Sequence, residues 1–420
     1  MPEEQRDLEI HWPDEFDEAK RAELRGVVLA YNDALTELGA GPAAVFASDG
    51  ERSGVFHGFL KRWDKAWSKP GPCMHMGCTS TSIPRSHTIS LGTSIRLIAE
   101  KGHVLTPRYG EDGIDLIDIG VRDASTFPGF CDAHEQLFSG FESQKAMTQA
   151  DHFRLQIFRT ICREIHSKRH QRQKAEAMLA EYRCRRDAFI LQKINAAADG
   201  PQALDVSGLK FENDEMETKL VDHIAGIQKD LPELEGLYAG VLDEIQNGGD
   251  KVAMTVINFD FQLPVCLSGF GVLNYQETAA SPVQRALCML AILTEKGCTR
   301  LLLAAAKEHE RAIGLHTSDH GSFAVIEMLE SWMIHGTDHW FITPSAWNRV
   351  PKNRQQAIRE RLIEPLSLAE RAPFSLLDDV RRHILAIAES QAAAGKVAFG
   401  DLAAVQRTIA EQKAKLEWTA

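Results

Sequence analysis

The sequence predicts an α+β protein that is mostly helical: an N-terminal part of helices and loops, a long central helical region, and a small antiparallel sheet packed with helices at the C-terminal end. Three observations carry this. Residues 144–197 contain neither proline nor glycine. Residues 252–261, VAMTVINFDF, alternate and are rich in β-branched and aromatic side chains, as strands are. Breakers at 39–42 and 69–72 separate helical stretches near the start. With 420 residues the chain is long enough for two or three domains, and the expected boundaries are 1–145, 146–249 and 250–420.

Each element follows from local pattern. Asp17 to Leu38 carries apolar residues at helical spacing (Leu24, Val27, Tyr31, Leu35) and stops at Gly39-Ala40-Gly41-Pro42. A second amphipathic stretch, Val55 to Trp67, ends at Lys69-Pro70-Gly71-Pro72. Ile95 to Pro107 reads as a short helix or strand, followed by a turn rich in Gly and Asp and a strand over Gly113–Val121. In the central region Phe153, Ile157, Ile161 and Ile165, then Leu179, Tyr182, Phe189 and Ile190, keep helical spacing. Between them HSKRHQRQK (166–174) has no apolar residue, so the helix should span solvent or break there. Helices over 213–230 and 232–246 follow, the second opening at Pro232 and closing at Asn247-Gly248-Gly249-Asp250. In the C-terminal part, strands 286–294 and 299–306 flank a hairpin turn at Glu295–Cys298. Helices are expected at 322–335, 353–362 and 376–391.

Composition removes several function classes. The N-terminus, MPEEQRDLEIHWPDEFDE, lacks the basic and apolar segments of a secretion signal. The best apolar run, ALCMLAIL at 286–293, is about half of the roughly 18 residues a membrane span needs. A soluble, cytoplasmic protein without a membrane partner is expected. Eight cysteines are too sparse for a disulfide scaffold, so clustered ones read as metal ligands and isolated ones as small buried hydrophobes. There is no P-loop or dinucleotide fingerprint, and Ser268 lacks the G-x-S-x-G context of a hydrolase nucleophile. Histidines 316, 320, 335 and 339 with Asp338 crowd a short segment, at spacings that match no metal arrangement.

One stretch points to chemistry. In CMHMGC, Cys73 and Cys78 form a C-x4-C knuckle with Gly77 before the second thiol. Downstream, in GFCDAHE, Cys131 and His134 are two residues apart at a helix start after Pro128-Gly129. Zinc takes four such ligands in a tetrahedron, and a loop pair plus a helix-start pair is the ligand arrangement of a treble-clef zinc domain. The expected metal ligands are therefore Cys73, Cys78, Cys131 and His134, holding a structural Zn2+. The bland alternative is two buried cysteines and two unrelated residues. His75 is a possible substitute ligand, but its place inside the knuckle favours solvent.

Over residues 73–138 the chain resembles the HNH endonucleases. They pair such a zinc module with a general-base histidine at a strand end and an acidic ligand for a catalytic divalent ion. Here Ser86-His87-Thr88-Ile89-Ser90 stands at the histidine signature and CDAH (131–134) at the second ligand pair. The resemblance implies His87 as the base that activates water and Glu135 as a ligand of Mg2+ or Mn2+. Ser86 occupies the place of the family's acid, and the 44-residue interval from His87 to Cys131 implies an insertion over about 92–126. A likeness to uncharacterised bacterial proteins with SH-x-IS and GFC-x-x-H segments, some of them resembling phage-defence components, assigns no activity.

The formal net charge is -12, yet residues 154–193 carry eleven Lys and Arg against Glu164, Glu176, Glu181 and Asp187. Such a stretch would give a nuclease a track for DNA or RNA phosphates. It equally suits a solvated helix face or an interaction surface. Two functions follow: a zinc-stabilised, HNH-like, metal-dependent nuclease that would serve as a defence effector, or a non-catalytic zinc-stapled protein whose helices form homo-oligomers or dock a partner. His87 is correspondingly either a base or a histidine that steadies the knuckle.

Overall fold

The computed structural model describes residues 16–110, 113–197, 214–278, 280–318, 321–363, 368, 371–395 and 402–418. His320 and residue 213, an expected helix start, lie outside them. In chain order, α1 (Glu18–Gly39) and α2 (Asp49–Trp67) precede β1 (Ser86–His87), α3 (Arg96–Ile98), β2 (His103–Gly110), β3 (Gly113–Gly120) and β4 (Thr126–Phe127). Then come α4 (Asp132–Glu135), α5 (Ser139–Gln144), α6 (Ala150–Ala197) and α7 (Glu215–Asn247). Strands β5 (Val252–Phe259), β6 (Val265–Tyr275), β7 (Gln284–Glu295) and β8 (Cys298–Ala306) lead to α8 (Glu310–His316) and α9 (Ser322–Ser331). The chain ends with β9 (Trp340–Ile342), α10 (Pro344–Arg349), α11 (Lys352–Ile363), α12 (Asp378–Ala393) and α13 (Leu402–Glu417). The mixed, largely helical α+β class is as expected. Among the described residues no helix is long and apolar enough to cross a membrane.

Two compact units interleave along the chain and do not follow the expected boundaries near 145 and 249. One comprises 1–63 with 170–228, the other 64–169 with 229–420. The reason is that α6 and α7 each contribute to both units, while β2 and β3, from the N-terminal third, belong to the same sheet as the C-terminal strands.

The smaller unit is helical. Asp17 caps α1 by accepting the Lys20 N–H at 2.8 Å, and Asp214 accepts the Glu217 N–H at 3.0 Å at the start of α7. One apolar cluster joins Ala34, Ile190 and Ile194, flanked by Val27, Tyr31, Leu38, Phe189 and Leu191, and Phe59, Leu179, Leu220 and Ile227 are buried as well. Ion pairs add to it. Arg186, with a side chain 1 % exposed, is gripped by Asp187, Asp214 and Glu217, and Tyr182 donates to Asp214 at 2.8 Å.

The larger unit is built on a seven-stranded sheet in the order β3-β2-β9-β6-β7-β8-β5, antiparallel at every pairing. From Ala286 to Glu295 every residue of β7 is buried, so the apolar run ALCMLAIL is a strand covered on both faces. The turn to β8 runs through Gly297 at φ 82, a conformation glycine adopts without strain. Trp332, Trp340, Leu290, Ile292, Leu303 and Phe374 anchor its core. A short separate ladder pairs β1 with β4, Ser86 opposite Phe127 and His87 opposite Thr126.

Two helix expectations need correction. The polar middle of α6 does not break the helix, and its side chains find partners. Trp67 meets His166 edge-on at 4.7 Å, Lys168 pairs with Asp230 at 2.9 Å and Arg169 with Glu235 at 2.7 Å. Pro232 does not open a new helix but lies inside α7, where it removes one backbone donor. Burial of Leu231, Leu234, Leu237 and Val241 around and beyond it outweighs that loss.

Candidate metal centre

The knuckle is held by the backbone before any metal is considered. The Cys73 N–H donates to the Ser80 carbonyl at 2.9 Å and the Cys78 N–H to His75 at 3.0 Å, with Gly77 at φ 77 closing the turn. The loop is laid against the downstream pair by Met74 N–H to Gly129 O at 2.8 Å and Ile83 N–H to Phe130 O at 2.7 Å. Gly129 is needed there, since a Cβ would sit 2.4 Å from the Phe127 ring. Cys131 is the N-cap of α4 and His134 lies in its first turn, so the i,i+3 spacing turns both side chains toward the knuckle.

The four side chains converge. Cys73 Sγ lies 3.5 Å and Cys131 Sγ 3.3 Å from His134 Nδ1, Cys78 Sγ lies 3.9 Å from Cys131 Sγ, and all four ligand atoms are within 4.8 Å of one another. A zinc tetrahedron with Zn–S of about 2.3 Å and Zn–N of about 2.0–2.1 Å has edges of about 3.8 Å between sulfurs and about 3.6 Å from sulfur to nitrogen. Donor chemistry and spacing fit a metal ion such as Zn2+. Burial pushes the Cys73 thiol up, while the Ser80 backbone N–H holds the half-buried Cys78 below the usual thiol range. The second ring expected in solvent, His75, instead stacks on His134 at 3.9 Å with planes 5° apart.

His87 and Glu135, the expected catalytic pair, each have a partner within the chain. The half-buried His87 imidazole meets the Ala124 carbonyl at 3.1 Å through Nδ1, so Nδ1 carries the proton and the neutral ring keeps its lone pair on Nε2. Burial, reinforced by the Arg159 charge, holds its pKa below the ordinary histidine value. Glu135 already has a cation: Arg159 Nη2 donates to its Oε1 at 2.7 Å, and Arg159 Nη1 to Glu142 Oε1 at 2.7 Å. Ser86, in the place of an acid, is fully buried and accepts the Phe130 N–H at 3.1 Å, which positions the residue before Cys131. Among the described residues the only cluster of three or more potential metal ligands is the Cys73, Cys78, Cys131 and His134 set.

The basic stretch is likewise spoken for. Arg154 pairs with Asp151 and Glu244, Arg163 with Glu164, Arg172 with Glu176, Arg183 with Glu217, Arg185 with Glu51 and Glu181, and Lys193 with Glu37, besides the pairs of Arg159, Lys168, Arg169 and Arg186 given above. Among the described C-terminal histidines, His339 Nδ1 donates to the Ser268 carbonyl at 2.7 Å, and His316 Nε2 accepts the Trp332 indole N–H at 3.0 Å.

Sequence reasoning missed Arg159, Glu142 and Tyr238, whose hydroxyl donates to the Met74 carbonyl of the knuckle at 2.7 Å. Arg159 did leave a signal, a lone charge in the apolar run between Ile157 and Ile161. Comparison with protein families, with curated proteins and with solved structures finds no match.

Proposed function

We propose that Cys73, Cys78, Cys131 and His134 hold one Zn2+ in a closed, structural, treble-clef centre, and that the protein is a zinc-stapled interaction protein rather than a nuclease. The observation that carries the reading is the Arg159 pairing: the carboxylate that a catalytic ion would need is neutralised from within, beside a zinc set whose four positions are all filled by the chain. The paired cations of α6 support it, since they have no net charge to offer a phosphate backbone. Ligand thiolates suit a reducing compartment, so we place the protein in the cytoplasm. The partner is a protein surface, a second copy of this chain included.

Purified protein is expected to carry one zinc per chain by elemental analysis, and none after Cys131→Ser. Incubated with plasmid or RNA and Mg2+ or Mn2+, it should leave both uncleaved, while light scattering with and without chelator reports assembly. One feature favours the nuclease reading instead, the neutral His87 with its Nε2 lone pair. Cleavage that is lost in His87→Ala would establish that reading and overturn ours.

A further inference from the structure

A histidine that binds a metal through one ring nitrogen is ordinarily held in orientation by a hydrogen-bond acceptor on the other. His134 turns Nδ1 to the sulfurs of Cys73 and Cys131, at 3.5 and 3.3 Å, and among the described residues its Nε2 meets no acceptor. What the imidazole meets instead is a second ring. His75 lies flat against it, with centroids 3.9 Å apart and planes 5° from parallel.

That second ring is itself held in place. Its Nδ1 donates to the Met76 carbonyl at 3.1 Å, so the knuckle fixes it from its own loop. Phe158 of α6, 1 % exposed, meets it edge-on at 6.4 Å. Phe158 in turn packs on Tyr238 of α7 at 5.4 Å, and the Tyr238 hydroxyl holds the carbonyl of Met74, the residue before His75. A continuous path of ring contacts and one hydrogen bond thus runs from His134 to the two long helices.

We propose that His75 is a positioning residue of the metal centre: its stacked ring stands in for the missing acceptor and sets the plane in which His134 presents Nδ1 to the ion. A flat ring can do this because tilting or sliding the imidazole gives up the stacking contact. A carboxylate or carbonyl acceptor would also raise the basicity of the ligand, whereas a stacked ring orients it without adding charge. This inference rests on Cys73, Cys78, Cys131 and His134 holding zinc.

The test is the rate of zinc release from the full chain to a chromogenic chelator, read beside the absorption spectrum of the Co2+-loaded protein. His75 is half-buried in a loop, so its variants keep the fold. His75→Ala should release zinc roughly tenfold faster than wild type, the low end of what the loss of a ligand-orienting group costs. His75→Phe keeps a flat ring and has no nitrogen for a metal, and it should release zinc at the wild-type rate. His75→Leu has side-chain bulk but no flat face, and it should resemble His75→Ala. All three should keep the tetrahedral Co2+ band, because the four ligands remain. Release from His75→Ala at the wild-type rate, a His75→Phe no slower than His75→Leu, or loss of the tetrahedral band in His75→Phe, which would make His75 a ligand, would each overturn the inference. A wild type that carries no zinc and takes up no Co2+ would instead break the zinc reading itself; one zinc per chain with all variants alike breaks only the role of His75.

Discussion

The two compact units mix apolar burial and charge differently. The larger one buries a continuous apolar core around Trp332, Trp340 and the central strands, holds the Cys73, Cys78, Cys131 and His134 cluster, and encloses the ion pairs Arg381–Glu330 and Arg354–Asp378. The smaller one buries Leu179, Leu220 and Ile227 beside Ala34, Ile190 and Ile194, and carries Arg186 with its three acids, Arg185 with two and Lys193 with Glu37. Apolar burial is tolerant of detail and indifferent to pH. Buried ion pairs specify geometry at the cost of dehydrating charges, so the loss of one partner is severe. The difference teaches that one chain can weight volume and charge differently in two regions.

Metal removal should break the comparison most visibly. Chelation or Cys131→Ser removes binding energy that in small zinc modules amounts to about 10–16 kcal/mol, and in this chain it should unfold residues 73–138 while the central strands persist. Hydrogen exchange would show protection lost at 129–135 and kept in β7. Next in size, Arg186→Met leaves Asp214 and Glu217 without their cation, and a loss of about 3–5 kcal/mol is expected in urea unfolding. Exchange should then rise first in the smaller unit; unchanged stability there would refute its dependence on charge. Gly271→Ala tests the larger unit by volume, since the added Cβ would meet Leu368 at 2.5 Å and Trp332 at 2.9 Å. About 1–3 kcal/mol should be lost, with the smaller unit unaffected.

The smallest effect is one of pH. Burial lowers the pKa of His87 and His316, the latter to about 4, and that of His339 well below the ordinary value. Below about 6.5 the unfolded chain binds these protons and the folded chain does not, so stability falls as pH drops from about 6.5 toward about 4. Unfolding midpoints at pH 7 and pH 5 should differ, and His339→Asn should narrow the difference.

What the sequence disclosed and what it hid divide along the same physical line. Local signals were readable: the helix from 17 to 38, the alternation of 252–261, the hairpin at Glu295–Cys298, and above all the four candidate metal ligands, which the structure brings together. Contacts between distant segments were not. Strand β6 was missed because Ser268, Gly269 and Gly271 interrupt its apolar pattern, and they do so to admit Thr337 and Trp332 against the backbone. β9 is three residues long and reads as an aromatic corner. Helix α13 was not anticipated at all; its end is held by Arg354 donating to the Leu416 carbonyl at 2.8 Å. The ion pairs of 154–193 were also hidden, because the acids that meet its cations lie as far away in sequence as Glu37 and Glu244.

The shortness of β9 has a bearing on how the chain comes into being. Trp340, Phe341 and Ile342 sit between β2 and β6, so this late tripeptide joins a hairpin made before residue 121 to strands made after residue 264. Until the ribosome has passed residue 342, the hairpin and the four-stranded remainder each present an open border that any extended chain can extend. At about 5–20 residues per second, the nascent protein waits on the order of ten to forty seconds between finishing the hairpin and sealing that seam. A nascent chain of this design would need chaperone cover during that interval, and a version truncated ahead of Trp340 should emerge as an aggregate.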